Sequence, residues 1–544
     1  MSTDPRLRER GAVALCAAVV ATAAPSGAAA AIAPVRQCGD LKGTYAIAGA
    51  VTHVTSAEVI ETQRHCDVSG FVEPAVKFQL ELPLDTFTGR YLQYGCDGYC
   101  GWFAPPRLRA CGGPRDGTFA VAATDDGHVA QPPDQFGVVD ATWAAGNRAA
   151  RDDFFFRAPH VVSKASKRIV AAFYGSPPRR SYFNGCSTGG REGLLLAQRY
   201  PRDFDGIVAG APTHYFGPIA VNEAWVAKAN LAADGSPVIT KDKLAPLHDA
   251  VMRSCDRRDG LADGQIEDPR ACRFDPASLQ CARGADRPDC LTPAQVAAAR
   301  KLYAGATDAR GRRLYPGSET LGSELAWDLF VVPLPGVGAF SGILADGYLK
   351  YMGYPPGTPH SSPADFRFTV HQLDRLTAEG VRGNAMSLDL REFRRAGGKL
   401  LLWHGWADAS IPPGATADYY ERLTLRNHGL RRTRAWARLF MVPTLHHCAI
   451  GGGYELNRFD PFDAIVPWLE RGRAPGRLIA YKQDPQGHVL RSRPVFPYPL
   501  RARYDGSGSI DSARNFVPAR ALVASHPIRW AGEDLFARRG PSAP

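Results

Sequence analysis

Residues 38–100 alternate between apolar and polar positions in short runs. The segments FVEPAVKFQLELP (71–83) and YLQYG (91–95) show this two-residue period clearly. Alternation of this kind is typical of β-strands that bury one face and are joined by turns. We therefore predict a series of half-buried strands in this part of the chain.

Residues 164–212 change to a mixture of helical and strand patterns. KASKRIVAAFYG (164–175) has helical spacing and ends at a glycine, and the short apolar run Tyr182–Phe183 follows it. REGLLLAQRY (191–200) again has helical spacing, stops before Pro201 and precedes the buried-strand pattern FDGIVAGAP. Alternating strands and helices predict a parallel sheet, so the expected fold class is α/β.

Charged and proline-bearing loops dominate from residue 214 to residue 387, where helical stretches are short and four cysteines lie between 255 and 290. The α/β pattern resumes with GGKLLLWHGWAD (397–408) and TRAWARLFMVPTLHHC (433–448), and we expect a loop-rich tail after it. An inserted second domain explains this order. The predicted segments are a signal at 1–31, a first sheet part at 32–213, the insertion at 214–387 and a second sheet part at 388–544.

The N-terminal segment has the features of a secretory signal. Three arginines precede the apolar stretch GAVALCAAVVATAAP, and small residues follow near Ala28–Ala31. A lipoprotein signal would need a small residue before its cysteine, whereas Leu15 precedes Cys16. We therefore expect a freely secreted, extracellular protein. No later apolar run approaches the roughly 20 residues of a membrane span, so no membrane association is predicted.

Charge and cysteine content refine this expectation. The net charge is +11, but acidic residues interrupt the arginines almost everywhere, so the basic stripe of a nucleic-acid-binding protein is missing. Of the twelve cysteines, eleven remain once Cys16 is removed with the signal. In an oxidising compartment most of them should be paired, although an odd number cannot all pair within the chain.

Candidate catalytic chemistry begins with GCSTG (185–189), which fits a nucleophile elbow. In this motif a serine, here Ser187, occupies a strained turn between a strand and a helix. A serine needs a base and a group that orients the base, and α/β-hydrolases supply them in the chain order serine, acid, histidine. Asp408 and His447 follow predicted strands in that order, at the strand ends where open α/β sheets place their sites.

Two other histidines, His404 and His446, compete for the role of base. Cys186 lies directly before the serine, and Cys448 lies directly after His447. A disulfide between them would tie the turn of the nucleophile to the loop of the base, because it holds two Cα atoms about 5.5–6 Å apart. Such a bridge favours His447 over His446. The alternative is a pair of buried free thiols.

This arrangement resembles the tannase and feruloyl esterase family of α/β-hydrolases, whose hallmark is a cysteine–serine pair, an aspartate and a histidine–cysteine pair. The resemblance extends through GCSTGGREGLLLAQRYPRDFDGIVAGAP, WHGWAD, RLFMVP and the cysteine-rich insertion, and covers most of the chain after the signal. It implies an α/β-hydrolase sheet with the insertion as a lid. It also implies a secreted serine carboxylesterase whose partner is a small-molecule ester of an aromatic, phenolic acid.

An oxyanion hole is usually built from the amide after the nucleophile and an amide of an earlier loop. Thr188 follows the serine and supplies the first amide. GCDGYCG (95–101) looks like the glycine-rich loop of the family, and Gly98 matches the position of its donor. This sequence departs from the commoner form of that loop by carrying Cys96 and Cys100. An ordinary turn glycine is the alternative for Gly98.

The loop CDRRDGLADGQIEDPRAC (255–272) carries several aspartates with glycines between them. Closely spaced hard oxygen ligands in a bent loop suit Ca²⁺, and solvated turns are the alternative. The family has a calcium site here, for which we expect a structural role. The ligands that the residues and the resemblance together imply are Asp256, Asp259 and Asp263, with the carbonyls of Leu261 and Gln265.

The resemblance also implies cysteine pairs. Besides Cys186–Cys448 these are Cys38–Cys66, Cys255–Cys272 and Cys281–Cys290. Cys96, Cys100 and Cys111 remain, and at most two of them can bond to each other.

Two alternative functions stay open at this point. One is a calcium-dependent, non-enzymatic binding protein on a hydrolase scaffold, and the other is a peptidase on the same fold. Ile411, shortly after Asp408, is a candidate for the acyl pocket, with a structural turn as its alternative. The sequence determines neither the acid and alcohol of the ester nor the oligomeric state.

Overall fold

The computed structural model describes most of the chain after the predicted signal. The described residues are 30–103, 117–358, 360–449, 455–538 and 540–542. Residues 1–29 of the predicted signal, including Cys16, lie outside them, as does Cys111.

The strands of the described residues are β1 (Gly43–Tyr45), β2 (Thr52–Ile60), β3 (His65–Val72), β4 (Val76–Pro83), β5 (Arg90–Tyr94), β6 (Phe119–Thr124), β7 (Arg180–Cys186), β8 (Gly206–Gly210), β9 (Lys399–Gly405), β10 (Ala437–Val442), β11 (Arg458–Phe459), β12 (Leu478–Gln483), β13 (Val489–Val495), β14 (Arg501–Tyr504) and β15 (Phe516–Ala519). The α-helices are α1 (Arg148–Asp152), α2 (Ala158–Tyr174), α3 (Thr188–Arg199), α4 (Phe216–Ala229), α5 (Leu244–Cys255), α6 (Pro293–Ala304), α7 (Trp327–Phe330), α8 (Phe340–Gly347), α9 (Val370–Gly380), α10 (Arg391–Arg395), α11 (Gly414–Arg426), α12 (Leu430–Arg434) and α13 (Phe462–Arg471).

Ten strands form one mixed sheet in the order β1-β2-β3-β4-β6-β5-β7-β8-β9-β10. The alternating N-terminal segment forms the antiparallel half, in which β1 to β4 pair as neighbours and β4 pairs antiparallel with β6. From β6 to β10 all pairs are parallel, and β8 is buried along its whole length, as both-face burial requires. The predicted α/β-hydrolase sheet is confirmed.

Helices cover both faces of the parallel half. Tyr182 and Phe183 are neighbours in β7 and therefore point to opposite faces. The Tyr182 ring packs edge-on against Phe462 of α13, and Phe183 packs against Phe204 in the core that also contains α2 and α3. Strand β7 is thus clamped in the centre of the fold, which fixes the position of the turn that follows it.

The chain between β8 and β9 contributes no strand to the described part of the large sheet, and it contains α4 to α10. This agrees in character with an insertion, whose boundaries 214–387 stay a prediction. The tail after β10 is rich in loops, as expected, but it also contains strands that were not predicted: β11–β13 form a three-stranded sheet and β14–β15 pair. Prolines weaken the strand pattern of these segments in the sequence. Pro494 lies in the edge strand β13 and Pro518 in the two-stranded ribbon, where a missing amide donor is tolerated.

Within the described residues, no helix combines the length and the apolar character needed to cross a bilayer.

Candidate active site

Ser187 occupies a sharp turn between the end of β7 and the start of α3. Its backbone has φ 60° and ψ −121°, a strained conformation for a residue with a side chain. The Ser187 amide donates to the carbonyl of Gly210 at 3.0 Å. A Cβ on Gly185 would lie 2.5 Å from the carbonyl carbon of Gly189, so strand and helix approach too closely for any side chain there. This is the geometry of a nucleophile elbow.

Asp408 follows β9 and is completely buried. Its Oδ1 accepts the amides of Ser410 and Ile411 at 2.8 Å each, and its Oδ2 accepts from Nδ1 of His447 at 2.7 Å. Burial alone would raise the pKa of Asp408, but the neighbouring imidazoles of His447 and His404 hold it below its usual value. The group is therefore an anion placed to orient an imidazole.

His404 contacts the same carboxylate from the other side. Its Nε2 lies 3.0 Å from Asp408 Oδ2 and 2.9 Å from the carbonyl oxygen of Ile411, so Nε2 carries the proton and Nδ1 accepts from the hydroxyl of Thr416. His404 is fully buried and thus positions the acid. Burial lowers the pKa of the other competitor, His446, to about 4, which makes it a poor base near neutral pH.

A disulfide joins Cys186 to Cys448 with the Cα atoms 6.0 Å apart. It connects the residue before Ser187 to the residue after His447. Among the described residues, the His447 ring nitrogens contact Asp408 Oδ2 and, at 3.6 Å, Cys448 Sγ, but not Ser187 Oγ. Hydrogen bonds between nucleophile and base are often long before substrate binds. The bridge therefore couples the two groups, and their direct contact stays a prediction.

The inserted segment contributes to the surroundings of His447. Phe330 of α7 packs edge-on against the imidazole, with ring centroids 6.1 Å apart and an interplanar angle of 82°. Both rings are buried. No sequence motif identified Phe330, because its role depends on how the insertion folds over the sheet.

The loop at 95–101 lies directly on the start of α3. Gly189 donates its amide to the carbonyl of Cys96 at 2.7 Å, and the hydroxyl of Thr188 donates to the carbonyl of Gly98 at 2.6 Å. Gly98 has φ +53°, and a Cβ there would lie 2.2 Å from the carbonyl oxygen of Val138, so the position requires glycine. Thr188 is the first residue of α3, so its amide has no acceptor within the helix.

The structure also joins Cys96 to Cys100, which brackets Gly98 with a second disulfide near the serine. The buried carboxyl groups of Asp126 and Glu192 lie against it, with Cys96 Sγ 3.0 Å from Glu192 Oε1. Burial raises the pKa of Glu192 to about 7. The other bridges of the described residues are Cys38–Cys66, Cys255–Cys272 and Cys281–Cys290, the pairs that the sequence analysis expects.

Ser187 opens onto a narrow cavity, whose empty space together with the adjoining open solvent is about 370 Å³. The sheet side of its wall includes Ile411, the residue considered for the acyl pocket, and the insertion side is formed by α4 and the end of α8. Glu223 of α4 also lines the cavity, and it escaped the sequence analysis although an acid in the apolar run GPIAVNEAWVA is an unusual feature. The lining residues are Gly98, Tyr99, Ser187, Thr188, Thr213, Phe216, Ile219, Ala220, Glu223, Leu344, Tyr348, Ser410 and Ile411.

The loop expected to bind Ca²⁺ is held by its own hydrogen bonds and by an arginine. Asp256 Oδ1 accepts the amides of Asp263 and Gly264 at 3.2 Å, and Asp259 Oδ1 accepts the amide of Leu261 at 2.9 Å. Asp263 Oδ2 forms an ion pair with Arg493 at 2.5 Å.

The loop also contains oxygen donors of the kind that Ca²⁺ takes. Gln265 Oε1 is buried and has no hydrogen-bond partner among the described residues. Burial, followed by the charges of Asp263 and Asp256, raises the pKa of Asp259 to about 6, which is countered in part by the Leu261 amide. Hard oxygen donors in a bent loop are the ligands that Ca²⁺ takes, but among the described residues no three acidic side chains of this loop bring their ligand atoms within 4.8 Å of one another.

Comparison with known proteins identifies the family. The family model described as tannase and feruloyl esterase matches residues 57–334 and 375–519, which is most of the described chain.

The chain belongs to the tannase and feruloyl esterase family.

Relatives within the family span nearly the same length. The chain is 35% identical over 537 residues to mono(2-hydroxyethyl) terephthalate hydrolase of Piscinibacter sakaiensis, with 85% of this chain and 86% of the relative covered. It is 31% identical over 446 residues to a probable feruloyl esterase B-2 of Aspergillus flavus, with 77% of this chain and 80% of the relative covered. This tannase and feruloyl esterase family member is therefore a carboxylic ester hydrolase.

Solved structures support the same assignment. Feruloyl esterase B from Aspergillus oryzae superimposes with a TM-score of 0.74 at 25% identity, covering 84% of this chain and 90% of that one. Tannin acyl hydrolase from Aspergillus niger has a TM-score of 0.64 at 20% identity, covering 86% of this chain and 90% of that one, and shows a shared fold.

Proposed function

We propose that this tannase and feruloyl esterase family member is a secreted serine esterase that hydrolyses esters of aromatic, phenolic acids through Ser187, His447 and Asp408. The observation that carries the proposal is the 2.7 Å bond from His447 to the buried Asp408, on a loop that a disulfide ties to the residue before Ser187. A base oriented by an acid and coupled to a strained serine is the machinery of acyl transfer.

In the first step, His447 Nε2 takes the proton of Ser187 as the hydroxyl attacks the ester carbonyl. The alcohol then leaves with that proton, and the acyl group remains on the serine. In the second step, His447 removes a proton from water, and the resulting hydroxide attacks the acyl carbonyl. The Ser187 oxygen then leaves with the proton from His447, which releases the acid and restores the enzyme. Asp408 keeps Nδ1 protonated, so that Nε2 is free to act as the base, and it stabilises the imidazolium.

The amides of Gly98 and Thr188 are proposed to bind the oxyanion. Both residues line the cavity onto which Ser187 opens, and Thr188 is also bonded to the Gly98 carbonyl, which holds the two amides in fixed relation. Loss of one such donor typically costs about 3–4 kcal/mol of activation free energy. The Cys96–Cys100 disulfide brackets Gly98 and restrains its amide, and the positive φ and crowded surroundings of Gly98 leave no room for a side chain at this position.

The aromatic acid is proposed from the cavity and the relatives. Apolar side chains of Phe216, Ile219, Leu344 and Ile411 form much of its wall, which suits a flat ring. The named relatives act, by their names, on feruloyl and terephthalate esters. Secretion is supported by the five disulfides of the described residues, since such bonds persist in oxidising compartments.

We further propose that the 255–272 loop holds a structural Ca²⁺. Asp256, Asp259 and Asp263, with the carbonyls of Leu261 and Gln265, would hold it, and the positive charge of the ion would offset the burial that raises the pKa of Asp259. Chelation should therefore lower the melting temperature of the wild type more than that of Asp259→Asn. Asp249→Asn, at an exposed position of α5, is the matched control and should keep the wild-type response. An unchanged melting temperature on chelation would contradict the proposal.

The proposed activity is tested with a panel of three esters: methyl gallate, methyl ferulate and a terephthalate monoester. The wild type should hydrolyse at least one of them with burst kinetics, Ser187→Ala should show none, and Ser236→Ala, at an exposed turn, should match the wild type. Hydrolysis of a matched amide at a similar rate would favour a peptidase instead. Activity retained in Ser187→Ala would overturn the assignment of the nucleophile.

A further inference from the structure

Glu223 is an unpaired buried acid in the wall of the substrate cavity. It lies on α4 seven residues after Phe216 and four after Ile219, so all three share the helix face that lines the cavity. The residue is 5% exposed. Among the described residues no hydrogen bond or ion pair involves its carboxyl group, which is unusual because buried polar groups are nearly always satisfied.

The surroundings of Glu223 leave this carboxyl to an incoming ligand. Neither lysine nor arginine is among the described residues that line the cavity. The charge of Glu223 acts on two tyrosine hydroxyls, Tyr99 and Tyr315. The Tyr99 hydroxyl already donates to the carbonyl of Leu344 at 2.7 Å, and among the described residues neither tyrosine forms a hydrogen bond with the carboxyl. Burial raises the pKa of Glu223 well above its usual value. A neutral carboxyl both donates and accepts hydrogen bonds, so it matches a hydroxyl and has no counter-ion for an anion.

The position of Glu223 matches the far end of an acyl group. The cavity contains Ser187 and the residues of the oxyanion amides, whereas His447, which must protonate the leaving alcohol, is not among its described lining residues. The alcohol therefore departs on the other side of Ser187, and the cavity takes the acyl part. Glu223 lines the same cavity as Ser187 and lies two helical turns beyond Phe216 on α4, so an acyl group bound in this cavity meets the carboxyl on its α4 wall.

We propose that Glu223 is the specificity residue that binds the ring hydroxyl of a phenolic acyl group, and that it selects this ring over a carboxylated or unsubstituted one. The inference rests on the proposed function, because it assumes that Ser187 is acylated from this cavity. It predicts that the ester acid carries a hydroxyl remote from the carbonyl. A terephthalate monoester would place a second carboxyl against Glu223, and because no cation lines the described cavity wall to neutralise it, we expect this ester to bind poorly.

The test compares three esters with the same alcohol: methyl 4-hydroxycinnamate, methyl cinnamate and monomethyl terephthalate. In the wild type, kcat/KM for the hydroxylated ester should exceed that for methyl cinnamate about tenfold or more, as expected for one hydrogen bond to a carboxyl group. Glu223→Leu, which keeps the side-chain volume but removes both oxygens, should bring this ratio close to one. Monomethyl terephthalate should be the poorest substrate of the wild type and should gain relative to the others in the variant.

The ratio of two esters separates recognition from folding, because a merely structural role would lower both rates alike. Glu223→Met serves as the second apolar variant if Glu223→Leu does not fold, and Asp249→Asn should leave the ratio unchanged. An unchanged ratio in a folded Glu223 variant overturns this inference while the proposed function stands. A wild type that hydrolyses neither these three esters nor methyl gallate and methyl ferulate overturns the proposed function itself, and this inference with it.

Discussion

Removal of the Cys186–Cys448 disulfide should separate its contribution to stability from its contribution to catalysis. The bridge joins residues 262 apart in sequence, and it lies between the nucleophile turn and the loop of the base. The double variant Cys186→Ala/Cys448→Ala removes it without introducing a polar group into the core. We expect two separate effects, a lower free energy of unfolding and a lower kcat.

The size of the first effect follows from loop closure. For a loop of 262 residues the chain-entropy relation gives a loss of about 5–6 kcal/mol, and for the 28-residue loop of Cys38–Cys66 it gives about 3–4 kcal/mol. Loss of Cys186–Cys448 should therefore lower the free energy of unfolding by roughly 2 kcal/mol more than loss of Cys38–Cys66. The second effect arises because a displacement of about 1 Å between reacting groups can reduce the rate on the order of 100-fold.

The assay pairs chemical denaturation with steady-state kinetics on the preferred ester, at a temperature where every variant is folded. Cys38→Ala/Cys66→Ala is the matched control, since that bridge staples the antiparallel half of the sheet away from Ser187. The control should lose stability but keep its kcat, whereas the Cys186–Cys448 variant should lose both. If the Cys186→Ala/Cys448→Ala variant keeps a kcat within a few-fold of the wild type, the idea that this disulfide couples nucleophile and base is refuted.

Three further substitutions test individual parts of the site and its surroundings. Asp408→Asn should lower kcat on the order of 10⁴-fold with little change in KM, because an amide cannot hold the His447 tautomer. Steady-state kinetics measures the effect, and a loss of kcat below tenfold would contradict the role of Asp408 in orienting His447. Gly98→Ala should lower kcat about 10²–10³-fold, while Gly397→Ala, also at positive φ but with open space around it, should not. Burial lowers the pKa of His128 to about 4, so between pH 6.5 and pH 4 the unfolded chain takes up a proton that the folded chain does not, and the free energy of unfolding falls as the pH falls. His128→Gln should reduce this loss by about 3 kcal/mol between pH 7 and pH 4, measured by urea unfolding, and an unchanged pH dependence would contradict it.

Much of the fold was predictable because local patterns and tertiary environment agree. The two-residue alternation of β2 to β4 reflects strands buried on one face, and the apolar run of β8 reflects burial on both. The strand–turn–helix pattern around Ser187 could also be predicted, because the close approach of strand and helix requires small residues at Gly185 and Gly189 and the motif shows them in the sequence. The strands of the C-terminal tail were missed because prolines in β13 and β15 break the usual strand signal.

The sequence did not reveal those residues of the candidate site whose roles depend on contacts between distant parts of the chain. The sequence favoured His447 as the base and left His404 as a competitor, whereas the structure places both on one carboxylate oxygen of Asp408. Phe330 and Glu223 belong to the insertion, and nothing local shows that their helices face the serine. A single acid in an apolar helix is the one signal that could have found Glu223, and its meaning becomes clear only when its carboxyl is seen without a partner.

The most direct test of the central claim is covalent labelling of the intact protein with a fluorophosphonate, followed by peptide mass mapping. Activated serines of this kind react with such probes, whereas ordinary serines do not. We predict one adduct, on the peptide that contains Ser187, absent in Ser187→Ala and much slower to form in Asp408→Asn. No adduct on the folded protein, or an adduct on another residue that persists in Ser187→Ala, would contradict the account.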